Sequence, residues 1–183
     1  MKYDKWKLKR TIEKSYANAI KKLIKGLQDE FKNLDSPFLI VKKIHTLARD
    51  PTFKKKAEKI AEGMITQLFS DNAKSWRQAA KQGSAGKMIY KEFQKGLNKP
   101  LRRKIDELID INSGYISSLP SDIAKYVDRQ IAKSTFEGKR ASDIKDDILR
   151  YYPHITETRA QLIARTETSK AQTALTRVRA QSL

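Results

Sequence analysis

The run Ile155 to Arg179, ITETRAQLIARTETSKAQTALTRVR, constrains the fold more than any other stretch of the chain. Its apolar and small residues stand at Ala160, Ile163, Ala164, Ala171, Ala174, Leu175 and Val178. On a helix that turns about 100° per residue they fall on one stripe, so the run predicts an amphipathic packing helix. Glu167 lies near the middle of that stripe. A carboxylate in that place is either paired with a cation from elsewhere or faces something that needs an anion. Arg165 points to nearly the opposite side of the helix, so the two cannot pair with each other.

The rest of the chain repeats the helical period. Trp6, Ile12, Tyr16, Ala19, Leu23, Leu27, Phe31 and Leu34 recur mostly every three or four residues, which predicts one long helix from residue 4 to about 34. Ser36-Pro37 is a helix start, with Ser36 as N-cap and Pro37 in the first turn. The helix it opens carries Phe38, Leu39, Val41, Ile44 and Leu47. Asp50-Pro51 repeats the signal for a third helix that runs through Phe53, Ala57, Ile60, Ala61, Met64, Ile65 and Leu68 to Trp76. Gln82 to Gly86 reads as a break, and Met88 to Leu97 as a short helix. Pro100 opens a helix with Leu101, Ile105, Leu108, Ile109 and Ile111, which Asn112-Ser113-Gly114 ends. An extended piece, Tyr115 to Leu119, leads to Pro120. Ser121 then caps a helix that ends near Phe136-Glu137-Gly138. Ser142 caps the next, Pro153 stops it, and Thr156 or Thr158 caps the last; Thr158 and Gln161 have the form of a capping box. The expected fold is all-α: an elongated multi-helix bundle with a long N-terminal helix and a C-terminal motif helix. Residues 1–112 and 113–183 read as its two parts.

Charge is the second constraint. The 183 residues include 39 basic and 21 acidic side chains, a net of +18. Residues 1–112 hold 27 basic against 13 acidic groups, a net of +14, so the first part carries most of the field. Such a surface raises affinity for nucleic acid or another polyanion. Lys21, Lys22, Lys54, Lys55, Lys56, Arg102, Arg103 and Lys104 are the candidate contacts. The competing reading is a solvated face that aids solubility and attracts acidic proteins. Arg102 to Lys104 sit at the wrong end of their helix for its dipole, and either pair with Asp106 and Glu107 or face an external anion. No sequence-reading DNA motif is visible, so binding would follow the backbone and weaken with salt.

Chemistry finds little purchase. With no cysteine there is no disulfide frame and no thiolate, which suits a reducing compartment. His45 and His154 lie far apart in sequence. Asp143, Asp146 and Asp147 share one helix face near its N-terminus, where the dipole favours negative charge. No phosphate loop, nucleophile elbow or helical metal motif is present. The expectation is no catalytic residue, no metal and no cofactor. No run reaches membrane-spanning length, and the first thirty residues lack the apolar core of a secretory signal. For Glu167 three roles stand open: a buried ion pair that fixes helix register, an interface contact, or acid–base chemistry.

From about Gly114 onward the chain resembles the phage head-morphogenesis family, the Mu protein F-like domain. Leu119-Pro120 precedes an amphipathic helix, and Gly138 to Ile144 feeds a second. The most specific likeness is Arg159-Ala160 followed by Ile163-Ala164-Arg165-Thr166-Glu167, the family's R-A-x-x-I-A-R-T-E helix, with Ala171 beyond it. The likeness covers roughly the last 70 residues. The family domain continues past this helix into a smaller mixed section, so residues 113–183 are expected to be a partial domain, truncated at its C-terminal end. The resemblance implies a minor head protein of a bacteriophage or prophage: a portal-associated, non-enzymatic component of the procapsid, assembled in the bacterial host cytoplasm. Its implied partners are portal or other phage head proteins, packaged DNA through non-specific contact, and a second copy of itself; no membrane is implied. The alternatives are a generic basic helical nucleic-acid-binding protein and the non-catalytic part of a phage-derived toxin.

Overall fold

In the computed structural model, residues 9–82 and 98–181 are described. They form five helices: α1 Arg10–Lys32, α2 Pro37–Leu47, α3 Pro51–Gln82, α4 Lys99–Phe136 and α5 Ala141–Gln181. No strand occurs among the described residues. The predicted Met88–Leu97 helix, Trp6 and the Gly83–Gly86 break lie outside them.

Three helix starts follow from the residue before them. The Ser36 hydroxyl accepts the Leu39 amide at 3.3 Å ahead of Pro37. The Asp50 carboxylate accepts the Thr52 amide at 2.8 Å ahead of Pro51. The Asn98 side chain accepts the Leu101 amide at 3.0 Å, with Pro100 in the first turn. Each satisfies an amide that the helix itself leaves unpaired. At the far end of α4, Gly138 takes φ +74°. The Lys139 amide then reaches the Ser134 carbonyl and the Gly138 amide the Thr135 carbonyl, both at 3.0 Å. This is a Schellman turn, and it folds α5 back on α4.

The pairs between helices fix their directions. Lys145 Nζ donates to the Lys32 carbonyl at 3.2 Å, Gln28 Nε2 to the Leu149 carbonyl at 3.3 Å, and Lys21 pairs with Glu157 at 2.6 Å. Those three set α1 and α5 antiparallel. Lys9, just before α1, meets Asp71 well along α3 at 3.1 Å, while Glu30 near the end of α1 meets Lys43 of α2, shortly before α3 begins, so α3 also runs against α1. Asn72 on α3 donates to Thr176 on α5 at 2.9 Å. The long helices α1, α3, α4 and α5 thus make an up-down-up-down bundle. The short α2 joins it at one end, tied to α1 by Lys43–Glu30 at 2.9 Å and to α4 by His45–Asp128 at 3.5 Å. At 1.5 Å per residue the 41-residue α5 is about 60 Å long. One core takes in Ile20, Ile24 and Phe31 of α1, Ile40 and Ile44 of α2, Ile65 and Leu68 of α3, Ile116 and Ile123 of α4, and Tyr152 and Leu175 of α5.

Several boundaries differ from the sequence expectation. Asn112-Ser113-Gly114 does not end a helix, Tyr115–Leu119 is helical rather than extended, and Ser121 is no cap: α4 runs through all of them and through Pro120. The division at residues 112 and 113 therefore falls inside α4. Pro153 likewise does not stop a helix, and neither Thr156 nor Thr158 begins one, because α5 continues through them. Gln161 donates to Glu157 at 3.2 Å and closes no capping box. Ser142 lies inside the first turn of α5 rather than before it.

The Pro153 case has a visible cause. A proline removes the hydrogen bond to the carbonyl four residues earlier, here that of Leu149. That carbonyl is the one Gln28 reaches from α1. Tyr152, beside the proline, is buried and meets the Phe31 ring edge-on, with centroids 5.1 Å apart at 89°. Tertiary contacts thus keep continuous what local rules would break. The buried stripes also shift slightly. On α1 the centre lies at Ile20 and Ile24 rather than Ala19 and Leu23; on α2 Ile40 is buried while Phe38 and Leu39 are exposed; Ile111 faces solvent.

Candidate functional site

The motif helix divides as its spacing requires. Ala160 and Ala164 are fully buried, Glu167 is 5 % exposed, and Ala171 is fully buried beyond it. Ile163 and Thr166 are half-buried, while Arg159 and Arg165 are exposed. Alanine at three inward positions leaves room for close approach of neighbouring helices. Among the described residues Glu167 is not paired with a cation from another element. Its Oε1 accepts from Lys170 Nζ at 2.8 Å, one turn on along the same helix. The Lys170 ammonium also stands 5.8 Å from the Tyr115 ring centre on α4. The hydrogen bond to Glu167, then that carboxylate's charge, holds the ammonium above the ordinary lysine range.

Two residues that the sequence offered only as a stripe position, Tyr16, and as part of a helix end, Asn112, form a buried polar pair near Glu167. Tyr16 on α1 donates its hydroxyl to Asn112 Oδ1 on α4 at 3.1 Å. Asn112 is fully buried and donates its own amide to the Leu108 carbonyl at 2.8 Å. Burial first, and the Glu167 charge second, push the Tyr16 hydroxyl above the ordinary phenol range, so it stays protonated and remains a donor. This buried polar layer therefore joins α1 to α4 through a directional contact that a shift of one helix along the other would break, with the Glu167 charge of α5 acting on the same hydroxyl. The sequence did hold the signal for Asn112: it continues the buried series Leu101, Leu108, Ile116 and Leu119 at helical spacing.

The candidate cations do not converge on one place. Lys21 is bound to Glu157 and holds that carboxyl below the usual range. Lys22 is exposed. Lys54, Lys55 and Lys56 are exposed at the start of α3, and pair with no carboxylate among the described residues. They lie eighteen or fewer residues, up to about 27 Å, from the Asn72–Thr176 contact. That puts them at the opposite end of the bundle from the start of α4. There Lys104 pairs with Glu107 at 2.7 Å, while Arg102 and Arg103 are exposed. The structure brings Arg103 and Lys104 beside Lys170 and Arg177 of α5, along a groove of about 670 Å³.

Elsewhere the acidic cluster of α5 is used locally. Asp147 accepts from Lys139 at 3.0 Å and from Arg150, and these cations hold its carboxyl below the usual range. Asp143 accepts from Ser142. Among the described residues no group of three or more His, Asp or Glu side chains converges as metal ligands, and no helix is long and apolar enough to cross a membrane. Compared with known protein families, curated proteins and solved structures, the chain matches none.

Proposed function

We propose that this chain is an assembly protein of a bacteriophage or prophage head, a portal-associated component that joins other proteins and performs no reaction. The observation that supports this reading is the disposition of the motif helix. The residues it has in common with the head-morphogenesis family separate into an inward set, Ala160, Ala164 and Glu167, and an outward set, Arg159 and Arg165. The inward set builds the bundle. The outward set, together with the exposed Leu162 on the same helix, offers a surface for a partner protein. In this reading the chain resides in the procapsid and is made in the host cytoplasm, and its net charge of +18 supports proximity to packaged DNA.

The test is co-expression with the portal protein encoded nearest to this gene, followed by co-purification. Retention of the portal by the wild-type chain, and its loss on Arg159→Glu/Arg165→Glu with the helical content intact, is the expected result. No retention from a host that makes both proteins would remove the reading. A second reading, a basic helical nucleic-acid-binding protein, draws on Lys54 to Lys56, which stand open to solvent. It predicts DNA affinity without any head partner.

A further inference from the structure

The groove between the first turns of α4 and the last turns of α5 has a chemistry that the sequence order hides. On α4 the residues lining it include Arg103 and Lys104. On α5 they include Ser169, Lys170, Thr173 and Arg177, which follow one another at helical spacing and so share a face. Four cations and two hydroxyls thus border one concavity of about 670 Å³. Among the described residues the one acidic side chain that lines it, Glu107, is already taken by Lys104 at 2.7 Å. Lys170 has its carboxylate partner behind it: the Glu167 side chain is 7 % exposed while that of Lys170 is 60 % exposed. Glu167 is therefore kept inside, while Glu107, 53 % exposed against 28 % for Lys104, stands at the groove and offsets that lysine, which leaves Arg103 and Arg177 as its open cations. Arg103 and Arg177 are exposed and pair with no carboxylate among the described residues.

We propose that this groove binds the phosphodiester backbone of nucleic acid, with Arg103 and Arg177 as the main phosphate contacts and Lys104 and Lys170 as flanking cations. Lys170 and Arg177 are seven residues apart, about 10 Å along the helix, which matches about three phosphates of one strand at 3.4 Å of rise. Guanidinium groups suit phosphate because they offer two donors in a plane. Thr173 and Ser169 add neutral donors of the kind that commonly position a backbone without reading sequence. The proposal goes beyond the head-protein reading, since it names a ligand and a place that hold whether or not a portal is bound. It also departs from the lysine run at the start of α3 as the place where a polyanion would sit.

The experiment is fluorescence anisotropy with a labelled mixed-sequence DNA duplex and a labelled single-stranded RNA, titrated at rising salt. Arg103→Ala/Arg177→Ala is compared with Lys54→Ala/Lys55→Ala, which removes the same charge at the other end of the bundle. All four positions are exposed and alanine favours helix, so both variants should keep the wild-type circular dichroism; Arg103→Gln/Arg177→Gln serves if the first does not. The expected result is that the groove variant flattens the dependence of log Kd on log salt by about 2, since each phosphate contact contributes about 0.9, while the control flattens it by less than 1. The tighter of the two probes identifies the nucleic acid. Equal flattening by both variants, or no binding to either probe at low salt, overturns the proposal. So does displacement of the probe by polyglutamate as readily as by unlabelled nucleic acid, which would assign the groove to an acidic protein.

Discussion

Removing the Asn112 side chain should expose how much the buried polar layer contributes. Asn112 is fully buried and accepts the Tyr16 hydroxyl at 3.1 Å. Asn112→Ala leaves that hydroxyl, on a tyrosine 2 % exposed, without its acceptor. An unsatisfied buried donor costs about 1–3 kcal/mol. The space vacated by the amide adds about 1 kcal/mol if the helices do not close on it. A loss of about 2–4 kcal/mol lowers the melting temperature of a chain this size by about 4–16 °C. Tyr16→Phe alone should cost about 1–2 kcal/mol, because it strands Asn112 Oδ1. In the Tyr16→Phe background no hydroxyl remains to be stranded, so Asn112→Ala should cost only the space. The four proteins, unfolded in urea and followed by far-ultraviolet circular dichroism, form a double-mutant cycle. A coupling of at least about 1 kcal/mol is expected. Additivity within about 0.5 kcal/mol, or a neutral Asn112→Ala, would show that the Tyr16–Asn112 bond does not hold α1 to α4 and would refute this reasoning.

Gln28→Met should cost about 1 kcal/mol by stranding the Leu149 carbonyl, and should be nearly neutral in a Pro153→Ala background, where residue 153 supplies the missing amide; urea midpoints of the four proteins check it. Burial raises the hydroxyl pKa of both Tyr16 and Tyr152 in the folded state. A raised folded value means stability that is complete below the unfolded phenol value, near 10, and lost above it at about 1.4 kcal/mol per pH unit for each tyrosine. Tyr16→Phe should remove about 1.4 kcal/mol per unit of that alkaline slope, and an unchanged slope between wild type and variant would count against the burial of Tyr16. Gly63 sits inside α3 with open space around its Cα, so Gly63→Ala should raise stability by about 0.5–1 kcal/mol, whereas Gly138→Ala, at φ +74°, should lower it by about 1 kcal/mol; thermal melts distinguish the signs.

What could be read in the sequence was whatever depends on period. The 3–4 spacing of apolar residues gave every described helix its existence, and Ser36 and Asp50 marked two starts by a local hydrogen bond. What could not be read depends on partners remote in sequence. Pro153 looked like a terminator and Pro120 like the end of an extended piece, because proline costs a helix about 3 kcal/mol in isolation. Inside the bundle the stripe Ile116, Leu119, Ile123 and Ala124 packs on both sides of Pro120, and Gln28 meets the carbonyl that Pro153 frees. Asn112-Ser113-Gly114 has the composition of a turn, yet Asn112 finds Tyr16 ninety-six positions away, a pairing no local rule anticipates. Glu167 was legible as an inward carboxylate. Its partner was closer than expected, three residues along the same helix, where spacing alone would have allowed the pair. The groove cations divide in the same way. Arg103 and Lys104 stood out as misplaced first-turn charges, but their approach to Lys170 and Arg177 exists only after α4 and α5 have paired.

Everything above requires that the motif helix present its small residues to the bundle and its arginines to the outside. The most direct measurement is a paired comparison of Ala164→Leu with Arg165→Leu by thermal melting. Ala164 is fully buried among its neighbours, so the added atoms should cost about 1–3 kcal/mol and lower the melting temperature by several degrees. Arg165 is exposed, and its replacement should stay within about 0.5 kcal/mol of wild type. Equal melting of Ala164→Leu and wild type, or a larger loss in Arg165→Leu, would contradict the seating of this helix.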